Sequence, residues 1–346
     1  MKQTAWRMPA PEAAPAVEKA IRDGAWVVYS VSGGKDSSAA IAATLDQLEA
    51  WGHPRERTLI MHADLGRAEW KSTPAHVEDL AEHFGLPLRV VRHSTHDMLS
   101  RWERRGDLGR QRWESADTVT LIGPWSSAKW RFCTGEQKVH VMSHAKRHLD
   151  MPVVSIMGIR RQESRGRALT RTEGQDSGMK RYRREDCLSW NPIAHWSEED
   201  VFAVHRAHGI PLHEAYGLGS TRLSCNFCVL ANINDLTVSS AQEQNHETYR
   251  HLVGMEARYG FSFQPSRWLA DVRPGLISRS TIRLVTKAKA ASDLRRAIER
   301  TYPESYRKGF ALTKEEIDLV LDGRRRIAQA YGLTFDSDVV AARLAA

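Results

Sequence analysis

The sequence has few cysteines and no long hydrophobic run. Four cysteines in 346 residues are too few for the disulfide framework of a secreted scaffold, and a chain of this length buries a core without one. No run of about 18 apolar residues is present, which predicts no membrane span and no membrane partner. The first residues also lack the charged-then-apolar pattern of a signal peptide. We therefore expect a cytoplasmic protein whose thiols are free or bound to metal.

Acidic residues are outnumbered by basic ones. There are 42 Asp and Glu against 50 Lys and Arg, which gives a net charge of +8. The arginines cluster in segments 101–112, 160–171 and 180–184. A basic balance favours polyanionic partners such as DNA, tRNA or phosphorylated small molecules, whereas solvated surface charge explains the same clusters equally well.

Apolar runs of strand length alternate with helical patterns in the first half of the chain. The runs expected to be strands are 26–31, 59–62, 88–91 and 153–157, and the segments expected to be helices are 37–51, 74–85 and 137–149. This alternation predicts an α/β fold, a doubly wound parallel sheet with helices on both faces.

The second half of the chain has a different composition. Segment 160–187 is rich in Arg, Gly and Ser and is predicted to be a mobile basic loop, and Ser197 is predicted to cap a helix with Asp200 as its partner. Further helices are expected at 241–260, 281–301 and 314–331. We therefore predict an N-terminal extension (1–23), a nucleotide-binding domain with a cysteine site (24–235) and a helical C-terminal region (236–346).

The segment VVYSVSGGKDSS follows a buried strand and opens a helix, a context typical of phosphate binding. Helix N-termini carry unpaired N–H groups and a partial positive charge. Gly33 and Gly34 let the backbone approach an anion, and Lys35 adds a positive charge. The hydroxyls of Ser32, Ser37 and Ser38 complete a cradle for pyrophosphate, with a spacing that differs from the Walker A motif.

This loop resembles the SGGKDS signature of the ATP pyrophosphatase (PP-loop) superfamily, whose members split ATP into AMP and pyrophosphate. Three later segments resemble elements of its phosphoadenosine phosphosulfate (PAPS) reductase branch: GIRRQESRGR (158–167), NPIAHWSEEDVF (191–202) and TRLSCNFC (221–228). The resemblance covers roughly 24–232 in the order of the family. It implies these nucleotide-binding residues: Ser30, Ser32, Gly33, Gly34, Lys35, Asp36, Ser37, Ser38, His62, Asp64, Gly158, Arg160, Glu163, Ser164 and Arg165. Of these, Lys35 and Asp36 are expected to be catalytic.

Departures from the reductase pattern favour a different sub-branch. PAPS reductases have a degenerate loop and a C-terminal catalytic cysteine, whereas this loop is intact and no cysteine follows Cys228. Iron–sulfur adenylylsulfate reductases carry an adjacent pair of cysteines, and here Phe132 precedes Cys133. The sequence is most similar to the DndC-type proteins of DNA phosphorothioation, or to a related sulfurtransferase.

The four cysteines fall in or beside segments that resemble the active site of the family: Cys225 and Cys228 in TRLSCNFC, Cys133 in RFCTGEQK, where the family supplies its first cluster cysteine, and Cys187 just before the 191–202 element. Cys225 and Cys228 form a CxxC, which alone indicates either a redox dithiol or half of a metal site. With Cys133 and Cys187, the resemblance favours a 4Fe–4S cluster on three or four thiolates. A structural Zn²⁺ and a dithiol with two unrelated cysteines remain open, and Cys187 has the weakest case for being a ligand.

Together these features predict an ATP- and Mg²⁺-dependent enzyme. It would adenylate a substrate and then accept sulfur at the cluster, with DNA, tRNA or a small molecule as acceptor and a sulfur-donor protein as partner. Two alternatives remain: an oxidoreductase acting on PAPS or a similar nucleotide, and a nucleotide or nucleic-acid binding module without catalysis. The sequence leaves the oligomeric state open.

Overall fold

A computed structural model describes residues 6–345. The strands of these residues are β1 (Trp26–Ser30), β2 (Thr58–Asp64), β3 (Leu88–Arg92), β4 (Val153–Met157), β5 (Glu173–Gln175) and β6 (Leu188–Trp190). The α-helices are α1 (Pro15–Arg22), α2 (Lys35–Ala50), α3 (Thr73–Phe84), α4 (Met98–Glu114), α5 (Phe132–Thr134), α6 (Val141–Lys146), α7 (Ser177–Lys180), α8 (Glu198–His208), α9 (Glu214–Gly217), α10 (Ile233–Ala241), α11 (His246–Tyr259), α12 (Arg279–Thr301), α13 (Glu304–Lys308), α14 (Lys314–Tyr331) and α15 (Ser337–Ala345). A π-helix (Gly135–His140) joins α5 to α6. Short 3-10 turns cover Arg55–Arg57, Gly66–Ala68, Arg161–Glu163, Glu243–Asn245, Leu269–Asp271 and Pro274–Leu276.

The six strands form one sheet in the order β3-β2-β1-β4-β6-β5. Neighbouring strands are parallel except β5, which pairs antiparallel with β6 at one edge. Central strand β1 places Tyr29 opposite Ile60 on one side and Ile156 on the other. The predicted α/β fold and the helical C-terminal region are confirmed, and each of the four predicted strands is present.

Helix α2 packs closely on the sheet because small residues fill its first turns. Ala39, Ala40 and Ala43 are buried in one core cluster with strand residues of β1 and β2. The Tyr29 hydroxyl lies 2.7 Å from the Thr44 hydroxyl, so a polar contact also joins helix and strand. This packing fixes the start of α2 at the carboxyl end of β1, where ligands bind in open parallel sheets.

Segment 160–187 differs from the predicted mobile basic loop. It contains β5, the edge strand, and helix α7, whose first turn is capped by Asp176. Strand β5 has no apolar pattern because its three residues are Glu, Gly and Gln; pairing with β6 defines it instead. Tertiary contacts contribute too, since the Glu173 carboxylate accepts a hydrogen bond from the Val17 amide of α1 at 3.1 Å.

The other helix predictions differ from the structure mainly in their ends. The helix beginning after Ser197 is α8, and the predicted capping box with Asp200 is present. The helix predicted at 137–149 is the π-helix followed by α6. The helix predicted at 241–260 is two helices, α10 and α11, separated by a turn at Glu243–Asn245.

The chain divides into two compact units. The first comprises residues 1–97 and 132–226, and the second, the helical unit, comprises 98–131 and 227–346. Segment 98–131, which contains α4, therefore groups with the helical region and not with the nucleotide-binding domain in which the sequence analysis put it. Of the proposed extension, residues 1–5 lie outside the described residues, and α1 buries Val17 and Ile21 in the sheet core.

Glu256 is a fully buried carboxylate in the helical unit. It accepts hydrogen bonds from the amides of Phe263, Leu269 and Ala270 at 2.8, 2.7 and 3.0 Å, so it orders the chain after α11. Burial outweighs these hydrogen bonds and raises the pKa of Glu256 to about 7. The folded unit therefore holds a proton on Glu256 at pH values where the unfolded chain has released it.

We expect ionisation of Glu256 to destabilise the helical unit as pH rises. Its folded-state pKa exceeds the ordinary value of 4.5, so the stabilisation is complete below pH 4.5 and lost as pH passes 7. The loss is about 3 kcal/mol, since one pKa unit corresponds to about 1.4 kcal/mol. Urea unfolding at pH 5 and pH 8 should show this decrease in wild type and a smaller one in Glu256→Gln. Equal pH dependence in both proteins would refute the assignment.

Candidate active site

The predicted phosphate loop joins β1 to α2 and has the backbone geometry that its glycines require. Gly33 has a φ of +76°, and a Cβ there would lie 3.2 Å from a His76 ring carbon and 3.3 Å from a Leu223 methyl. Gly34 precedes the first residue of α2 and supplies no capping side chain. Some N–H groups at this helix start therefore have no partner within the helix, as in anion-binding loops.

The three loop serines have different environments. Ser32 is exposed, whereas Ser37 and Ser38 are buried. The Ser37 hydroxyl donates to the Gly34 carbonyl at 2.7 Å, and that of Ser38 donates to the Lys35 carbonyl at 3.1 Å. Ser37 and Ser38 therefore stabilise the start of α2, and Ser32 is the loop hydroxyl available to a ligand.

The Lys35 side chain is 2% exposed and turns toward α8. Its Nζ lies 3.1 Å from a Glu198 carboxylate oxygen and 3.7 Å from an Asp36 oxygen. It also lies 5.4 Å from the centre of the Phe202 ring and 5.2 Å from that of Tyr216. The ammonium is thus neutralised by two carboxylates, so contact with a phosphate requires the anion to compete with Glu198.

Three residues expected at the nucleotide lie together beside the start of α2. The Arg160 guanidinium, 3% exposed, donates to the Asp36 carboxylate at 2.5 Å. Gly158 packs so closely on α2 that a Cβ would lie 2.1 Å from the Asp36 carbonyl oxygen. The structure therefore brings the GIRR segment and the SGGKDS loop into direct contact.

The other members of that segment do not join this group. Glu163, Ser164 and Arg165 are exposed, and Glu163 forms an ion pair with Arg167. Arg161 contacts the segment before α1: its guanidinium donates to both carboxylate oxygens of Glu12, at 2.8 and 2.9 Å. The predicted nucleotide roles of Glu163, Ser164 and Arg165 stay predictions without a supporting contact.

A cavity of about 260 Å³ opens beside the loop, within the first unit. Ser30 and Ser32 line it from β1 and the loop, His62 from β2, and Lys138 and Val139 from the π-helix. Its location at the carboxyl ends of the central strands is where nucleotides bind in doubly wound sheets.

His62 joins this cavity to the loop. Its Nδ1 lies 2.9 Å from the Val31 carbonyl oxygen and its Nε2 lies 3.2 Å from a Glu69 carboxylate oxygen. Burial lowers the pKa of His62, but hydrogen bonding and charge from Glu69 outweigh it and leave the pKa raised. Asp64, at the end of the same strand, does not line the cavity; it accepts a hydrogen bond from the Gly66 amide at 2.7 Å.

The polar part of the cavity wall includes a buried cluster that the sequence analysis missed. Lys146 Nζ donates to the Ser155 hydroxyl at 2.7 Å and to the Asp176 carboxylate at 2.5 Å. The Ser155 hydroxyl also donates to Asp176, at 2.7 Å. Lys146 and Asp176 are only 5% and 8% exposed, so the cluster is a buried ion pair completed by a hydroxyl. These residues lie on separate elements and have no shared motif, so nothing in the sequence links them.

A smaller cavity of about 50 Å³ also borders Ser32. It shares Ser32, Glu69 and Lys138 with the larger cavity, and Cys225 lines it from the loop after α9. The structure thus brings the first cysteine of the CxxC close to the phosphate loop.

The four cysteines do not form a common metal site. Cys187 is fully buried against Val28, Leu59 and Val153, and its sulfur accepts a hydrogen bond from the Val153 amide at 3.4 Å. Burial raises the pKa of the Cys187 thiol, which disfavours the thiolate that a ligand must supply. Across residues 6–345, no three Cys, His, Asp or Glu side chains are arranged to hold a metal ion. The described residues therefore do not fit a cluster or a zinc ion on these four cysteines, and Cys187 belongs to the core.

Because Cys187 is buried with a raised pKa, we expect it to resist alkylation in the folded protein. Brief treatment with N-ethylmaleimide, followed by peptide mass spectrometry, should leave Cys187 unmodified until urea is added. Cys133, which is half-buried, provides the internal comparison. Modification of Cys187 at the rate of Cys133 in the native protein would contradict its place in the core.

No helix within residues 6–345 is both long and apolar enough to cross a membrane. Among known proteins, an uncharacterized 37.8 kDa protein of Escherichia phage 186 is 32% identical over 129 residues. That match covers 35% of this chain, and the chain spans about a third (36%) of the length of the phage protein. The crystal structure of phosphoadenylyl-sulfate (PAPS) reductase from Candida auris, in complex with phosphate, aligns with a TM-score of 0.40 and 15% identity. The alignment covers 62% of this chain and 89% of the reductase chain.

The sequence itself matches a protein-family model over most of the first unit. The model, described as the phosphoadenosine phosphosulfate reductase domain, matches residues 26–231, which is more than half of the chain. The matched region begins at β1 and includes the phosphate loop, the GIRR segment and both cysteines of the CxxC. The chain belongs to the phosphoadenosine phosphosulfate reductase domain family.

Proposed function

We propose that this family member is an ATP pyrophosphatase of the DndC-like type, which activates an acceptor for sulfur transfer. The main support for the proposal is the position of Ser32. It lies in an intact SGGKDS loop and lines both the 260 Å³ cavity and the small cavity that Cys225 reaches. A nucleotide in the larger cavity would have its phosphates at the loop, beside the thiol.

The loop residues supply charge and donors to the departing pyrophosphate. The N–H groups at the start of α2 and the Ser32 hydroxyl would bind phosphate oxygens, and Lys35 would add positive charge once it leaves Glu198. Mg²⁺ usually binds through substrate phosphates, water and one or two carboxylates. Asp36 and Asp64 are two of the carboxylates that the motifs supply; in this structure Asp36 pairs with Arg160 and Asp64 accepts from the Gly66 amide.

The proposed acceptor is a nucleic acid, DNA or tRNA. Lys180, Arg181 and Arg183 are exposed on and beside α7, close to cavity residue Ser177. Arg184 belongs to the predicted basic cluster but has a structural part, since its guanidinium donates to the carbonyls of Leu149 and Met151. We therefore expect the nucleic acid to bind through Arg181 and Arg183, with an affinity that falls as the salt concentration rises.

The iron–sulfur cluster on Cys133, Cys187, Cys225 and Cys228 stays a prediction from the resemblance, which the arrangement of the described side chains does not support. A sulfur-donor protein and a cytoplasmic location likewise stay predictions. None of the roles assigned above to Ser32, Lys35 and Asp36 depends on the cluster.

A second candidate is a thiol-dependent oxidoreductase that acts on a nucleotide sulfate. The position of Cys225 at the small cavity favours it, because a thiolate there would lie beside bound phosphate or sulfate. Such an enzyme would consume PAPS together with a thiol reductant that supplies two electrons, and it would not need ATP.

The test uses anaerobically purified protein, ATP, ³⁵S-labelled sulfide, and DNA or tRNA in separate reactions. The proposal expects ATP-dependent label in one nucleic acid, lost in Cys225→Ser and reduced in Arg181→Gln/Arg183→Gln. A parallel reaction contains PAPS and a dithiol as the two-electron reductant, without ATP, and release of sulfite there would support the oxidoreductase. Binding of ATP without turnover in any reaction would support a binding module and refute both enzymes.

A further inference from the structure

Helix α12 presents three basic side chains along one side. Arg279, Arg283 and Lys287 are all exposed and are spaced four residues apart. Four residues correspond to about 6 Å along a helix, so the three positions form a stripe roughly 12 Å long. On the other side, Val285 and Ala288 are buried against the helical unit, which fixes the stripe outward.

The stripe has no acidic residue to neutralise it. No Asp or Glu occurs from Pro274 to Ser292, a stretch of chain that includes the first half of α12. Three of the other four basic residues of the helix have ionic partners: Lys289 with Asp271, Arg295 with Glu299 and Arg296 with Asp293. Among the described residues, Arg279, Arg283 and Lys287 form no ion pair within 4.0 Å. The positive charge of the helix N-terminus adds to theirs, since Arg279 is its first residue.

We propose that this stripe binds the phosphate backbone of a nucleic acid. A duplex carries one negative charge per about 1.7 Å of axis, so a 12 Å line of cations faces several phosphates. An anionic membrane surface is disfavoured, because the first half of α12 exposes just two large apolar side chains, Ile282 and Leu284. The proposal is independent of the ATP chemistry, because it concerns residues of the helical unit alone.

The test is the salt dependence of binding to a fluorescein-labelled DNA duplex of about 20 base pairs, without ATP. Neutralising the stripe (Arg279→Gln, Arg283→Gln and Lys287→Gln together) should weaken binding at least tenfold at about 0.1 M salt. It should also lower the slope of log Kd against log salt by about 2–3, because each phosphate contact contributes about 0.9.

A matched variant neutralises three cations of the same unit that have acidic partners: Arg296, Lys308 and Arg325. We expect it to bind like wild type, with both variants melting within a few degrees of wild type. Equal effects of the two variants would overturn the proposal, as would binding to phosphatidylserine vesicles but not to the duplex. ATP turnover of the stripe variant is measured separately and should be unchanged, so failure of the ATP chemistry is distinguishable.

Discussion

Lys35→Met should lower the rate of AMP formation from ATP by about 10²–10³-fold, the usual effect of removing one donor to developing charge. The charge of Lys35 matters most as pyrophosphate departs, so kcat should fall more than nucleotide affinity. Methionine keeps the apolar stem that packs between Phe202 and Tyr216, so the fold should be retained. Steady-state kinetics with measured Kd for ATP, together with thermal unfolding, separates these effects.

Two further variants make the interpretation specific. Lys19→Met removes an exposed lysine paired with Asp23 and should leave AMP formation unchanged. Glu198→Gln removes a carboxylate that competes for the Lys35 ammonium and should retain or increase activity. AMP formation by Lys35→Met at the wild-type rate would eliminate the proposed role of the lysine.

Asp176→Ala should destabilise the first unit by roughly 3–5 kcal/mol, because it leaves the Lys146 ammonium buried without a counter-charge. Part of the loss comes from the start of α7, whose Gly178 amide donates to Asp176 at 2.9 Å. The same change alters the wall of the 260 Å³ cavity, so nucleotide affinity should fall as well. Calorimetric unfolding and titration with an ATP analogue measure the two effects.

The double variant Lys146→Met/Asp176→Ala tests whether the buried charge is the cause. Removing both partners leaves no uncompensated ion, so the double variant should be more stable than Asp176→Ala alone. If the destabilisation of the double variant equals the sum of those measured for Asp176→Ala and Lys146→Met, the pair is not energetically coupled and the argument fails.

The features that could be predicted from the sequence are those that depend on neighbours along the chain. Strand β1 has a continuous apolar run, and the glycines of the loop follow it directly, so the strand–loop–helix unit was evident. The capping box of α8 was equally local, since Ser197 and Asp200 are three residues apart. Segment 98–114 was less informative, because its many arginines obscured the apolar periodicity of α4. The buried face of that helix includes Trp102 and Trp113.

The features that escaped prediction arise from contacts between distant segments. The motif gave Lys35 its place in the loop, but its side-chain direction depends on Glu198, more than 160 residues away. The cluster of Lys146, Ser155 and Asp176 lines the cavity without a motif because each residue comes from a different element. Cys187 lies just before a segment that resembles the family, yet the packing of β4 beside it makes it a core residue.

The central claim is that this loop splits ATP between its α- and β-phosphates. The most direct measurement is chromatography of the products formed from [α-³²P]ATP, with Mg²⁺ and with DNA or tRNA present, under anaerobic conditions. Labelled AMP in amounts equal to the pyrophosphate released, lost in Lys35→Met, is the predicted result. Labelled ADP with inorganic phosphate, or AMP formation unaffected by Lys35→Met, would contradict the account.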